Sequence, residues 1–241
     1  MFPIRDHNPS RSTPLVTWLL IGANVAMYVL TLPMMQEGEA LWAQLALYPV
    51  AVVHGEYVGG LFTHMFLHAG LLHLAGNMLF LWIFGDNLEE QMGHLGFLLF
   101  YLAAGLLAAA AQIAAEPLTP VPMVGASGAI AGVMGAYLLM FPRARVDVLV
   151  IFIVFFKVFP MPAWLVLGLW LGLQLVGGFR MSGGEGGIAY WAHAGGFLAG
   201  LLLCLPLFIR RGGPGFWARN HGHPPHPAAI YSSTRIPRVN R

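Results

Sequence analysis

Charge is scarce in this sequence: Asp, Glu, Lys and Arg together make up 9% of its 241 residues. A soluble domain carries about a quarter. Hydrophobic residues account for 58% and the mean hydropathy is +0.70. Such a chain cannot coat a water-facing surface, so it reads as an integral membrane protein. Cysteine is nearly absent. Cys204 alone excludes an intrachain disulfide and any site built on several thiolates. The net charge is only +2 and the basic residues gather towards the ends, which excludes a nucleic-acid footprint.

The apolar residues fall into six runs. The polar segment 1–14 leads into Leu15–Leu32, which is long enough to span. Gln36–Gly60 contains no Lys or Arg and carries apolar patches, which predicts an interfacial segment. The further spans are expected at Gly70–Phe84, Leu95–Ile113, Ser127–Phe141, Ala163–Gly178 and Ile188–Ile209. Between the fourth and fifth, Val148–Phe159 is too short to cross. It is expected to lie along the interface or to extend the next helix. The fold class is therefore an all-α polytopic membrane protein, a six-helix bundle over residues 15–209. Residues 210–241 are expected to form a disordered tail, being rich in Pro, Gly, His and Arg.

Eleven of the twelve Lys and Arg lie in the terminal segments or in the loop after the fourth span; Arg180 is the exception. The positive-inside rule then places both termini in the cytoplasm. The expected location is a bacterial inner membrane.

Polar groups inside spans are costly and mark function. His68, His73 and Asn77 accompany the second span, Ser127 opens the fourth, and His193 lies early in the sixth. In this topology all even-numbered spans start on the same, non-cytoplasmic side. These residues therefore share one shallow layer, within about two turns of their span starts. The residue types suit acyl transfer. Ser127 needs a base, which His193 can supply. His73 and Asn77, one turn apart, can aim donors at one point, and the start of the fourth helix adds backbone N–H groups. No Asp or Glu lies in the fourth or sixth span, so the inventory permits a Ser-His dyad rather than a triad. Gly128, Gly132 and Gly135 form one stripe and Gly196 and Gly200 another, which would let those two helices approach closely.

Three motifs then stand in order: His73-Leu74-Ala75-Gly76-Asn77, Gly125-Ala126-Ser127-Gly128, and Ala192-His193-Ala194-Gly195-Gly196 continuing to Gly200. Together they resemble the rhomboid intramembrane serine proteases. The resemblance implies Ser127 as nucleophile and His193 as general base. It also implies an oxyanion hole of His73, Asn77 and the Ser127 backbone N–H, with His68 supporting nearby. The implied substrates are single-span membrane proteins, cut near their outer membrane boundary within the lipid bilayer. No cofactor or metal is expected. Two positions depart from the family pattern. Val58-Gly59-Gly60 stands where many members carry Trp-Arg, and Ala131 where many carry an aromatic that stacks on the histidine. The rival readings are a non-catalytic relative that binds membrane proteins and a histidine-lined transporter or channel. For the second, His64, His68 and His73 lack a carboxylate or thiol partner, and HExxH is absent.

Overall fold

A computed structural model describes residues 2–8, 10–37, 40–152, 155–180 and 188–224. The helices, in chain order, are α1 (Leu15–Glu37), α2 (Ala40–Leu45), α3 (Pro49–Val53), α4 (Gly60–Thr63), α5 (Leu71–Met92), α6 (His94–Ala115), α7 (Ser127–Met140), α8 (Ala163–Arg180), α9 (Tyr190–Arg210) and α10 (Pro214–Asn220). All six expected apolar runs are helical. Among the described residues α1, α6, α8 and α9 are each long and apolar enough to cross a membrane. The segment Gly60–Phe66 joins α5 across an 89° bend, and the pair makes a fifth candidate span. Large apolar side chains cover the outside, with Leu19 70% and Leu72 89% exposed. Water would penalise that surface, whereas lipid does not.

The six-span expectation needs one correction of length. α7 has only 14 residues, or about 21 Å, against a hydrocarbon core of about 30 Å. The proline-rich approach through Pro117, Pro120 and Pro122 delays its start, and Phe141-Pro142 ends it. α7 is instead the axle of the fold: every residue from Gly128 to Tyr137 is buried. Its glycines and alanines let α9 and α6 pack along it. At its far end the rings form a ladder. Phe84 and Tyr137 are 5.0 Å apart, Tyr137 and Phe141 5.4 Å, and Phe141 and Phe216 6.2 Å.

Val148–Phe159 runs into two strands rather than lengthening the next helix. β1 (Phe2–Asp6), β2 (Arg145–Phe152) and β3 (Phe155–Pro162) form an antiparallel sheet in that order. Its Val, Ile and Phe content favours extended backbone, and Pro160 and Pro162 fit because β3 is an edge strand. Asp147 on β2 ties down the N-terminal segment, accepting bonds from Arg5 at 2.7 Å and His7 at 2.6 Å. Part of the expected disordered tail is also ordered. In α10 Phe216 is buried, and the Trp217 indole N–H donates to the Leu139 carbonyl at 2.9 Å. Residues 225–241 lie outside the described residues.

Glu89 makes the joint between α1 and α5. Its carboxylate accepts from the backbone N–H groups of Val16 and Thr17, both at 2.8 Å, and from the Thr17 hydroxyl at 2.7 Å. These are the donors a helix start leaves unsatisfied. His94 joins the same carboxylate at 2.5 Å.

Candidate active site

The site begins with a turn. Gly125 has φ +123, a conformation L side chains rarely adopt, and a Cβ there would stand 2.8 Å from the His73 Nε2. Its N–H donates to the His64 carbonyl at 2.9 Å. Just upstream, Met123 and Leu47 exchange backbone bonds of 2.7 and 3.1 Å. The loop that lacks Trp-Arg is thus anchored by backbone pairing, helped by the Thr63 hydroxyl on the Leu45 carbonyl at 2.6 Å. His64 is buried with its Nδ1 against the Gly60 carbonyl at 2.8 Å, a structural histidine.

This turn sets Ser127 as the first residue of α7, and the helix-start N–H groups there have no side-chain cap. The serine Oγ lies 2.8 Å from His193 Nε2 on α9. The approach follows from the glycines of both helices. A methyl group added to Gly196 would overlap the Gly128 carbonyl, and one on Gly200 the Gly132 carbonyl. His73 and Asn77 descend one face of α5 towards Gly125. Asn77 is 8% exposed, and its amide nitrogen has no hydrogen-bond partner among the described residues. His68 is buried behind them, its ring edge-on to His73 at 5.1 Å. The structure therefore brings Ser127, His193, His73, Asn77 and His68 together.

Ser127, His193, His73 and Asn77 open on a cavity of about 590 Å³, in the size range of small-molecule and peptide clefts. Its walls are largely apolar, including Leu72, Phe80, Met134 and Trp170. The arrangement gathers a hydroxyl, an imidazole and side-chain and backbone N–H groups in a partly desolvated space, groups of the types that acyl transfer uses.

The sequence model described as the Rhomboid domain matches residues 55–210, well over half of the chain. The chain belongs to the rhomboid family. It is 37% identical over 131 residues to the rhomboid-family protein YdcA of Bacillus subtilis, covering 54% of this chain and 64% of that one. It is 47% identical over 78 residues to the rhomboid protease GluP of the same organism, covering 32% and 15%. Rhomboid protein 1, mitochondrial, of Saccharomyces cerevisiae is 29% identical over 197 residues, covering 78% and 51%. The chain thus spans less than two thirds of the length of these relatives.

Three residues packed about the start of α9 were not singled out from sequence. Gln174 on α8 places its Oε1 2.8 Å from His193 Nδ1. Trp170, one turn earlier, sets its ring 5.7 Å from the imidazole at 39°. A ring therefore lies beside His193 although position 131 is alanine. Gln112 on α6 accepts from the Ala192 N–H at 3.1 Å and donates to Glu116 at 2.9 Å, fixing the start of α9. A signal existed: both glutamines are amides within apolar helices, where such groups bond across helices.

Proposed function

We propose that this rhomboid-family protein is an intramembrane serine endopeptidase that cuts single-span membrane proteins near the outer membrane boundary. The carrying observation is the 2.8 Å contact between Ser127 Oγ and His193 Nε2 at the wall of the cavity. In the first step His193 Nε2 takes the serine proton while Oγ bonds to the scissile carbonyl carbon. The carbonyl electron pair moves onto oxygen, where His73, Asn77 and the Ser127 N–H donate to it. The C–N bond then breaks and Nε2–H protonates the departing amine. Water repeats the sequence on the acyl-serine, releasing the new carboxylate. His68 supports His73 by ring contact, while Gly125, Gly128, Gly196 and Gly200 set the spacing.

The catalytic unit is residues 15–209, flanked by cytoplasmic segments at 1–14 and 210–241, on the distribution of Lys and Arg. A bacterial inner membrane is the proposed location. The test is incubation of purified protein with a panel of single-span substrates, with cuts mapped by mass spectrometry. Ser127→Ala should insert and fold normally but neither cleave nor react with a fluorophosphonate. Full cleavage by Ser127→Ala would overturn the reading.

A further inference from the structure

Neither the motif set nor the family resemblance assigns a partner to the second nitrogen of His193. Resting on the protease reading above, the geometry points to Gln174 as the positioning residue that fixes the His193 tautomer. A neutral imidazole carries one proton on two nitrogens, and only one arrangement is useful here. Nε2 must be bare to accept the Ser127 proton, so Nδ1 must carry the hydrogen. Gln174 presents its carbonyl oxygen, an acceptor, 2.8 Å from Nδ1. The Nδ1–H donates to it, and Nε2 is left as the acceptor facing Oγ at 2.8 Å. Were the amide nitrogen turned inward, it would donate to a bare Nδ1, and the protonated Nε2 could not serve as base.

Position supports the assignment. Trp170 and Gln174 are four residues apart, so α8 presents both on one face, one against the imidazole ring and one against its Nδ1. α8 is the least buried of the four long apolar helices, and among the described residues only Ala163, Leu167 and Gly178 of it are buried. An amide inside such a helix is expensive unless it is paired. The Gln174 amide is paired with the base itself. The third member is thus an uncharged acceptor on a third helix, which keeps a carboxylate out of the apolar layer. The dyad is oriented only while α8 is docked against α9.

The test compares the parent with Gln174→Met, similar in length but without the acceptor, and Gln174→Glu, which restores an oxygen there. Each is purified in one detergent with 15N-histidine, and His193→Ala assigns the His193 signal. In the parent, the nitrogen shifts should report a protonated Nδ1 and a bare Nε2. Gln174→Met should lose that preference. Its kcat should fall by more than about 10-fold, short of the roughly 10⁴-fold that loss of a carboxylate orienter causes. KM should stay near the parent value, because substrate contacts are untouched. Gln174→Glu should recover the tautomer and most of kcat. A Gln174→Met protein with parental tautomer and parental kcat would overturn the assignment. So would a loss of kcat that Gln174→Glu shares in full while the tautomer never changes. A parent that cleaves no substrate would instead remove the protease reading, and the nitrogen shifts would still decide the role of Gln174.

Discussion

Gly132 and Gly200 face each other so closely that a methyl group built on Gly200 would overlap the Gly132 backbone, and one on Gly132 would lie 3.7 Å from the Gly200 Cα. Backbone cannot rotate aside as a side chain can, so the seam between α7 and α9 has no slack. Gly200→Val and Gly196→Val are expected to lower the melting temperature, since overpacking costs about 1–3 kcal/mol even where side chains can yield. Both should also lose most activity, because about 1 Å of displacement at reacting groups can cost 10²-fold. Activity and melting temperature measured together check this, and variants matching the parent in both would show the seam to be compliant.

The polar groups should separate by role. His193→Ala should remove nearly all turnover, because no other base bonds Oγ among the described residues. Asn77→Ala should retain some, since a lost oxyanion donor typically costs about 10²–10³ in kcat and His73 and the backbone N–H remain. Single-turnover rates distinguish the two. An Asn77→Ala rate equal to the parent would exclude the amide from the hole.

Loss of Glu89 should loosen the first helix. The carboxylate caps Val16 and Thr17 and holds His94, while being 1% exposed. Removing a cap costs about 0.5–2 kcal/mol, and Glu89→Ala also leaves buried donors unpaired. The expected result is a lower melting temperature together with faster amide exchange at residues 15–18. Unchanged exchange there would separate Glu89 from the stability of α1.

The Asp147 carboxyl should give the sheet a pH dependence. Burial pushes its pKa up, but the hydrogen bonds from His7 and Arg5 outweigh burial and hold it below the usual value of 3.8. A lowered native pKa means that the stabilisation is complete above the unfolded value and is lost as pH falls through the native one. Arg5 is 70% exposed, so solvent screening limits its ion pair to at most about 1 kcal/mol. Limited proteolysis of the N-terminal segment should therefore accelerate below about pH 4 in the parent, and already at neutral pH in Asp147→Asn. Equal rates for the two proteins at neutral pH would refute this anchor.

Much of the site was legible because it breaks a rule. In an apolar chain Ser127, His73, Asn77 and His193 stand out, and the glycine stripes foretold which helices meet. What escaped depends on contacts far apart in the chain. Gln174 and Trp170 read as unremarkable residues of one more span until α8 is laid against α9. The strand at Phe2–Asp6 pairs with Val146–Leu149, and nothing local in a short polar lead announces a partner so distant. The run Val148–Phe159 has β-branched and aromatic content that suits a strand, but its apolarity in a membrane chain argued equally for an interfacial lie. Ala131 suggested a missing stack; in the fold it is fully buried, and the ring beside His193 comes from another helix.

The shortness of α7 also bears on how this protein keeps a membrane sealed. The cavity reaches along the helix from Ser127 to Met134 and the sheet and α10 close the other end, so only about 9 Å of helix rise, Met134 to Met140, lies between them. The ring ladder of Phe84, Tyr137, Phe141 and Phe216 occupies the far part of that distance. It is expected to be the permeability barrier, holding back protons and ions where a full-length helix would otherwise do so. Phe141→Ala in liposomes should then pass protons faster than the parent under an imposed gradient, independently of Ser127. An equally tight Phe141→Ala protein would mean that the helices around α7, rather than its own rings, insulate the bilayer.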